Sequence, residues 1–266
     1  LAGIERRLEW MRPAEILAEM GRCPLVYVPV GLLEWHGPHL PVGTDALDAE
    51  TVALRCAERS GGVVLPTCYC GTERECTPQQ LRDLGFVGDE WIVGMDFPKN
   101  ALRSLYFREE FFALVLREWL TLLALQGYRL IVIINGHGAD NHIAVIERLS
   151  REFSAAGGVR VVPFLAWAAP DGALDVGHAD AIETARMVAL DAERVDLATL
   201  PAADKPLYNT EWGIVDARTF RGEPTPDRTT RNDPRVGTSP EYGEETFAVS
   251  VAYIVDEVER LLQEMR

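Results

Sequence analysis

The stretch Leu130-Ile131-Val132-Ile133-Ile134-Asn135-Gly136-His137-Gly138 decides how the rest of the chain is read. A short, wholly apolar and mostly β-branched run fits a strand buried on both faces, the kind found in parallel sheets. Before it, Ala101–Gln126 carries a long amphipathic helical pattern with Leu105, Phe112, Leu116 and Leu120 on one side, stopped by Gly127. After it, residues Asn141 to Phe153 again read as helix.

The same unit recurs in both directions. Toward the N-terminus, Leu25–Val30 reads as a buried strand between Pro24 and Gly31, followed by a helix over Asp48–Arg59 that ends at Gly61-Gly62, and a short strand over Val63–Leu65. Residues 4–20 show helical spacing broken by Pro13, which can open a second helix at its first turn. Toward the C-terminus come a strand over Val159–Phe164, a helix over Asp180–Leu190, a Pro-rich loop or subunit contact over 201–245, and a last helix over Glu245–Met265. Apolar strands separated by helices predict an α/β fold, a three-layer αβα sandwich with a mainly parallel central sheet. Without repeats or low-complexity tracts, residues 1–266 read as one domain.

Composition limits the partners. Twenty-six Lys and Arg against 41 Asp and Glu leave a net charge of −15, which disfavours nucleic acid and anionic membrane surfaces. The most apolar stretch, Leu120–Ile134, is broken by Gln126, Gly127 and Arg129 and is too short and too polar to span a bilayer. No basic and apolar leader can be drawn over the first thirty residues, and five cysteines, an odd number, fit a reducing cytoplasm. Cys68, Cys70 and Cys76 lack a standard zinc spacing and read as buried or idle thiols.

The five histidines fall in three short segments, two of them strand exits, where parallel sheets hold their ligands. In the first segment Glu34 and His36 stand two apart, so an extended chain points both to one face, and Asp45 adds a carboxylate able to bridge two cations. Mixed carboxylate and imidazole donors suit zinc, manganese or iron(II). A solvated strand end with a Gly-Pro turn is the competing reading of that segment alone. His137 sits on a glycine-flanked turn into a helix, where backbone can approach a ligand closely, whereas His142 reads as a surface or structural residue. In the third segment Asp180 can cap a helix. His178 and Glu183 would lie about 140° apart if both were helical, so His178 should precede the helix, one of the two meeting metal and the other a reacting group.

These segments together resemble the creatininase (creatinine amidohydrolase) family. The resemblance rests on Val28-Pro29-Val30-Gly31 with Glu34-x-His36-Gly37-Pro38-His39-Leu40-Pro41 and Thr44-Asp45, then Asn135-Gly136-His137-Gly138, then His178-Ala179 with Glu183-Thr184, and a weaker echo at Asp233–Thr238 with Gly243. It implies a helix–sheet–helix sandwich, two divalent metal ions per chain with zinc first and manganese or iron as alternatives, hydrolysis of non-peptide C–N bonds in cyclic or small amides, and often a homohexamer. Glu34, His36, Asp45 and His137 match the family's metal ligands, Asp45 as the bridge, and His178 matches its proton-transfer histidine. Creatininase itself has a glutamate two residues after the ligand that matches His137, where this chain has Ala139. The second cation is therefore expected to draw on Glu183, with Asp140 in reserve. Trp35 replaces the usual glutamine, and relatives include formamide hydrolases of deazaflavin and riboflavin-type pathways and a peptide-maturation enzyme, so the resemblance fixes the reaction better than the substrate.

A cation pair lowers the pKa of water from 15.7 toward about 7 and polarises an amide carbonyl, leaving His178 to protonate the departing nitrogen and Glu183, if not a ligand, to shuttle the proton. Two other classes stand beside this one. A nucleotide-binding module lacks any G-x-G-x-x-G or Walker motif here. A non-catalytic metal-stabilised interaction protein would keep the site without turnover.

Overall fold

The computed structural model describes residues 5–83, 86–89, 91–96, 102–205, 207 and 233–265. A 3-10 turn at Leu8–Trp10 precedes α1 (Pro13–Arg22), which carries proline in its first turn, where the missing N–H costs no helical hydrogen bond. There follow β1 (Leu25–Gly31), α2 (Thr44–Ser60), β2 (Val63–Val64), β3 (Cys68–Tyr69), α3 (Pro78–Asp83), α4 (Glu109–Gln126), β4 (Leu130–Asn135), α5 (Asp140–Ala156) and β5 (Arg160–Leu165). The small strands β6 (Ala168–Ala169) and β7 (Gly172–Ala173), then α6 (Ala181–Asp191) and α7 (Pro240–Glu264), complete the order.

The main sheet runs β2-β1-β4-β5, with β3 pairing the far end of β1, and every pairing in it is parallel. A separate pair, β6 and β7, is antiparallel. Alternation along the two central strands feeds opposite cores, as the two-residue period of a strand requires. Leu25, Tyr27, Leu130, Val132 and Ile134 pack under α2 and α7, while Val26, Val28, Val30, Ile131 and Ile133 pack under α4 and α5. That is the three-layer α/β sandwich expected from the apolar runs. Cys68 and Cys70 are part of the second core, and burial pushes their thiols up to about 12 and about 11. Among the described residues no helix is long and apolar enough to cross a membrane.

Several element boundaries differ from the sequence expectation. The helix expected from Ala101 begins at Glu109. Residues 104–107 are instead tied to neighbouring loops by backbone bonds from Leu105 N to Leu33 O (2.8 Å) and Phe107 N to Gly71 O (2.9 Å), and by Ser104 N to Asp96 Oδ1 (2.7 Å). Tertiary hydrogen bonds thus override a helical apolar period there. The second helix starts at Thr44 rather than Asp48, with the Thr44 hydroxyl donating to Pro41 O at 2.7 Å, so Asp45 sits in a helical turn and not in a loop. The last helix starts at Pro240, capped by the Ser239 hydroxyl, which accepts from Tyr242 N, so the expected loop over 201–245 ends earlier than its composition implied. Residues 206 and 208–232 of that loop lie outside the described residues.

Candidate metal centre

Two glycines bring the distant segments together. Gly31 ends β1 and Gly136 follows β4, its neighbour in the sheet. A Cβ at Gly31 would lie 2.5 Å from Ala46 N, and one at Gly136 would collide with the Asp45 carbonyl. Their bare backbone lets the first turn of α2 rest on the strand ends and sets Asp45 between the loop after β1 and the loop after β4. Glu34 and His36 stand on the first loop, which Glu34 N closes onto Val42 O at 2.8 Å, and His137 stands on the second.

Asp45 faces both loops. Its Oδ1 lies 2.8 Å from His36 Nε2 and its Oδ2 lies 3.1 Å from His137 Nδ1, which is also 3.2 Å from Glu34 Oε2. Glu183 Oε2 is 3.8 Å from His36 Nε2. Potential ligand atoms gather within 4.8 Å of one another in three trios: Glu34, Asp45 and His137; His36, Asp45 and Glu183; and Glu34, His36 and His178. Glu34, His36, Asp45, His137, His178 and Glu183 therefore all converge. Asp140, the reserve carboxylate, is exposed in the first turn of α5 and joins none of the trios.

His178 precedes α6, as the angular argument required. Asp180 caps that helix, its Oδ1 accepting from Ile182 N (2.9 Å) and Glu183 N (3.0 Å) and its Oδ2 from Gly177 N (2.8 Å). Ala179 takes a left-handed conformation (φ 54°) that turns the chain from His178 into the cap, and its N–H donates to Glu183 Oε2 at 2.5 Å. Two of the three imidazoles are oriented from behind by a backbone carbonyl. His36 Nδ1 lies 3.1 Å from Glu34 O, and His178 Nε2 lies 2.6 Å from Trp35 O. These bonds leave His36 Nε2 and His178 Nδ1 toward the carboxylates, the arrangement metal-ligating histidines need.

His142 is structural but not on the surface. It is fully buried, stacks on Phe112 at 4.3 Å, and bonds Asn135 Oδ1 (3.0 Å), the oxygen that also accepts from His137 N (2.9 Å). His39 is likewise buried and bonds Thr184 Oγ1 at 3.1 Å, behind the site; burial lowers it to about 3, so it is neutral.

The electrostatics are those of buried carboxylates and imidazoles that balance one another's charge. Burial opposes charge on His36, yet Asp45 and Glu183 push its pKa up to about 10. Burial likewise opposes charge on His137, and Glu34 with Asp45 raise it well above its ordinary value. Burial would raise Asp45 and Glu34, but His36 and His137 hold Asp45 low, and His137 holds Glu34 low. Glu183 is raised mainly by burial, and His178 is lowered to about 4 by burial and the charge on His36. The imidazolium charges on His36 and His137 thus stand where external cations would otherwise balance the carboxylates. Two observations fit that substitution: the buried His36 Nε2, although 2.8 Å from Asp45 Oδ1, makes no hydrogen bond of good geometry among the described residues, and the donors are carboxylate and imidazole.

A pH effect follows. A histidine whose folded pKa is raised stabilises the fold fully below its unfolded value of about 6.5 and loses that contribution as pH rises through the folded value, about 10 for His36. Chelator-stripped protein should melt at a lower temperature at pH 10 than at pH 7. Protein loaded with zinc, its imidazoles already deprotonated by the ion, should show a much smaller drop in calorimetry over the same interval.

The site opens into a cavity of about 430 Å³ walled by Glu73, Arg74, Met95, Asp140, Trp167 and Val176 besides the converging residues. Sequence reading missed Glu73, whose Oε2 is 3.9 Å from His137 Nε2, and Tyr106, whose hydroxyl donates to Glu34 Oε1. Neither carries a motif, and Tyr106 lay inside the stretch read as helix.

Comparison with known proteins agrees with this geometry. The family model for creatininase, described as creatinine amidohydrolase, matches residues 9–258. The chain belongs to the creatininase family. It is 30% identical over 235 residues to the creatinine amidohydrolase of Pseudomonas putida, covering 80% of this chain and 82% of that protein. Among solved structures, a glutamate-to-glutamine variant of creatininase in a zinc–zinc form superposes with a TM-score of 0.67 at 26% identity, over 97% of this chain and 98% of that one. The same type of variant complexed with creatine superposes with a TM-score of 0.68 at 25% identity, over 96% and 98%. In this creatininase-family chain the fold gathers residues of the three histidine-bearing segments at one cavity.

Proposed function

We propose that this chain is a metal-dependent amidohydrolase that cleaves a non-peptide C–N bond of a small cyclic amide, formamide or related compound. One cation would be held by Glu34, Asp45 and His137 and the other by His36, Asp45 and Glu183, with Asp45 shared. The observation that carries this reading is the division of Asp45, one oxygen against His36 and the other against His137. Zinc is the first candidate for both positions, with manganese or iron(II) suited by the same donors. The creatinine amidohydrolase of Pseudomonas putida and the zinc–zinc and creatine-bound creatininase structures support the same assignment.

Held by these residues, divalent cations would supply water ionisation near neutral pH and polarisation of an amide carbonyl. The protein's part is to orient and to move the proton. His178 is neutral, with Nε2 fixed on Trp35 O and Nδ1 facing the site 3.8 Å from Glu34 Oε2, so Nδ1 can accept a proton and return it to the departing nitrogen. Trp167, beside Gly138, together with Met95 and Val176, gives the cavity an apolar wall that binds the substrate body and excludes water. Ala139 lines the same cavity and leaves open the space a glutamate would fill, so the substrate need not be creatinine.

The test is zinc-loaded protein screened against small lactams, formamides and ureas. His178→Ala should lower turnover of any accepted compound by about 10²–10⁴-fold, the usual weight of a general acid–base group, with both cations retained and the melting temperature nearly unchanged. A non-catalytic, metal-stabilised protein would instead show no turnover before or after the change.

A further inference from the structure

We propose that Tyr106 and Glu73, delivered by the chain between β3 and α4, are positioning residues for the cation site of Glu34, Asp45 and His137, Tyr106 acting on Glu34 and Glu73 on His137. This rests on the two-cation reading above. The Tyr106 hydroxyl donates to Glu34 Oε1 and accepts from Met95 N at 3.0 Å, so the phenol is anchored to backbone and its proton is committed to the carboxylate. That occupies one Glu34 oxygen. The other, Oε2, points inward, 3.2 Å from His137 Nδ1 and 3.8 Å from His178 Nδ1. Tyr106 thereby makes Glu34 a donor through a single, fixed oxygen.

Glu73 plays the corresponding part for the imidazole. Its Oε1 accepts from Arg74 N at 2.7 Å, which turns Oε2 toward His137 Nε2, 3.9 Å away. That nitrogen is buried and has no hydrogen-bond partner among the described residues. With Nδ1 given to a cation, Nε2 must carry the proton, and a carboxylate behind it fixes the tautomer and raises the donor strength of the ring. Gly94 is the piece that admits both groups. It has φ +51°, and a Cβ there would collide with Glu73 Cγ and Tyr106 Oη. One side of the cavity wall and the orientation of two ligands are therefore set by one segment that carries none of the motifs quoted above.

Outer partners of this kind are worth about 10–100-fold in metal affinity. Zinc alone, titrated against a chromophoric chelator, separates the two binding constants of the wild-type chain, of Tyr106→Phe and of Glu73→Gln. Each variant should weaken one of the two zinc constants by about 10–100-fold and leave the other within a few-fold, while the melting temperature of the metal-free protein moves by no more than about 2 °C. Two unchanged zinc constants in both variants overturn the positioning role and leave the two-cation reading intact. A fall in the metal-free melting temperature with unchanged zinc constants also overturns it, because it marks both residues as structural. A wild-type chain that takes up no zinc sinks the underlying reading and this inference with it.

Discussion

Asp45→Asn should strip both cations at once and lower turnover by at least about 10³-fold. The substitution keeps the shape of the side chain and removes its charge, so α2 can stay docked on Gly31 and Gly136. What changes is specific: the two oxygens now divided between His36 and His137 become one carbonyl and one NH₂, and the NH₂ opposes any cation placed beside the imidazole it faces. A Lewis-acid cation is worth several kcal/mol to the transition state, and each 1.36 kcal/mol is tenfold in rate. Metal analysis after gel filtration, paired with turnover, checks this. Asp140→Asn is the control, since that carboxylate lies on the same rim but outside all three trios and should retain both cations. Full metal content in Asp45→Asn would remove Asp45 as the shared ligand.

The largest expected effect on stability comes from a residue remote from motif arguments. Arg186, only 1% exposed, is clamped between three helices. Its Nη1 bonds both oxygens of Asp48 on α2 (3.0 and 2.9 Å) and Ala166 O (3.2 Å), its Nη2 bonds Thr246 O and Ser250 Oγ on α7 (both 2.9 Å), and its Nε bonds Thr246 Oγ1 (3.1 Å). The guanidinium also stacks over Phe247 at 4.6 Å. Arg186→Met leaves the buried Asp48 carboxylate unpaired, and breaking a buried pair this way costs about 3–5 kcal/mol. At about 2–4 °C per kcal/mol for a chain of this size, the melting temperature should fall by roughly 6–20 °C. Arg186→Met combined with Asp48→Leu removes both charges and should recover most of the loss. A single-variant drop below about 2 °C would show that the clamp contributes nothing net.

What could be read without coordinates follows from periodicity and from donor chemistry. Leu25–Val30 and Leu130–Ile134 announce strands because a run apolar at every position can only be buried on both faces, and β1 and β4 are neighbours in the sheet. Glu34, His36 and His137 could be placed at one cavity because they immediately follow those strands. The start of α4 could not be read, since the apolar spacing at Leu105 fits a helix and only contacts with Leu33, Gly71 and Asp96 hold 104–107 out of it. Tyr106 and Glu73 were hidden for the same reason: a single phenol or carboxylate in a loop announces nothing until its partner is known. Arg186 could not be singled out from sequence, because a buried arginine is defined by neighbours 138 and 60 residues away.

The most direct measurement is anomalous diffraction at the zinc absorption edge from crystals of the zinc-loaded protein. Two peaks per chain should stand on either side of the Asp45 carboxylate, one beside Glu34 and His137 and the other beside His36 and Glu183. No peak there, or a single peak that leaves Asp45 outside its coordination, would contradict a site built around one shared carboxylate.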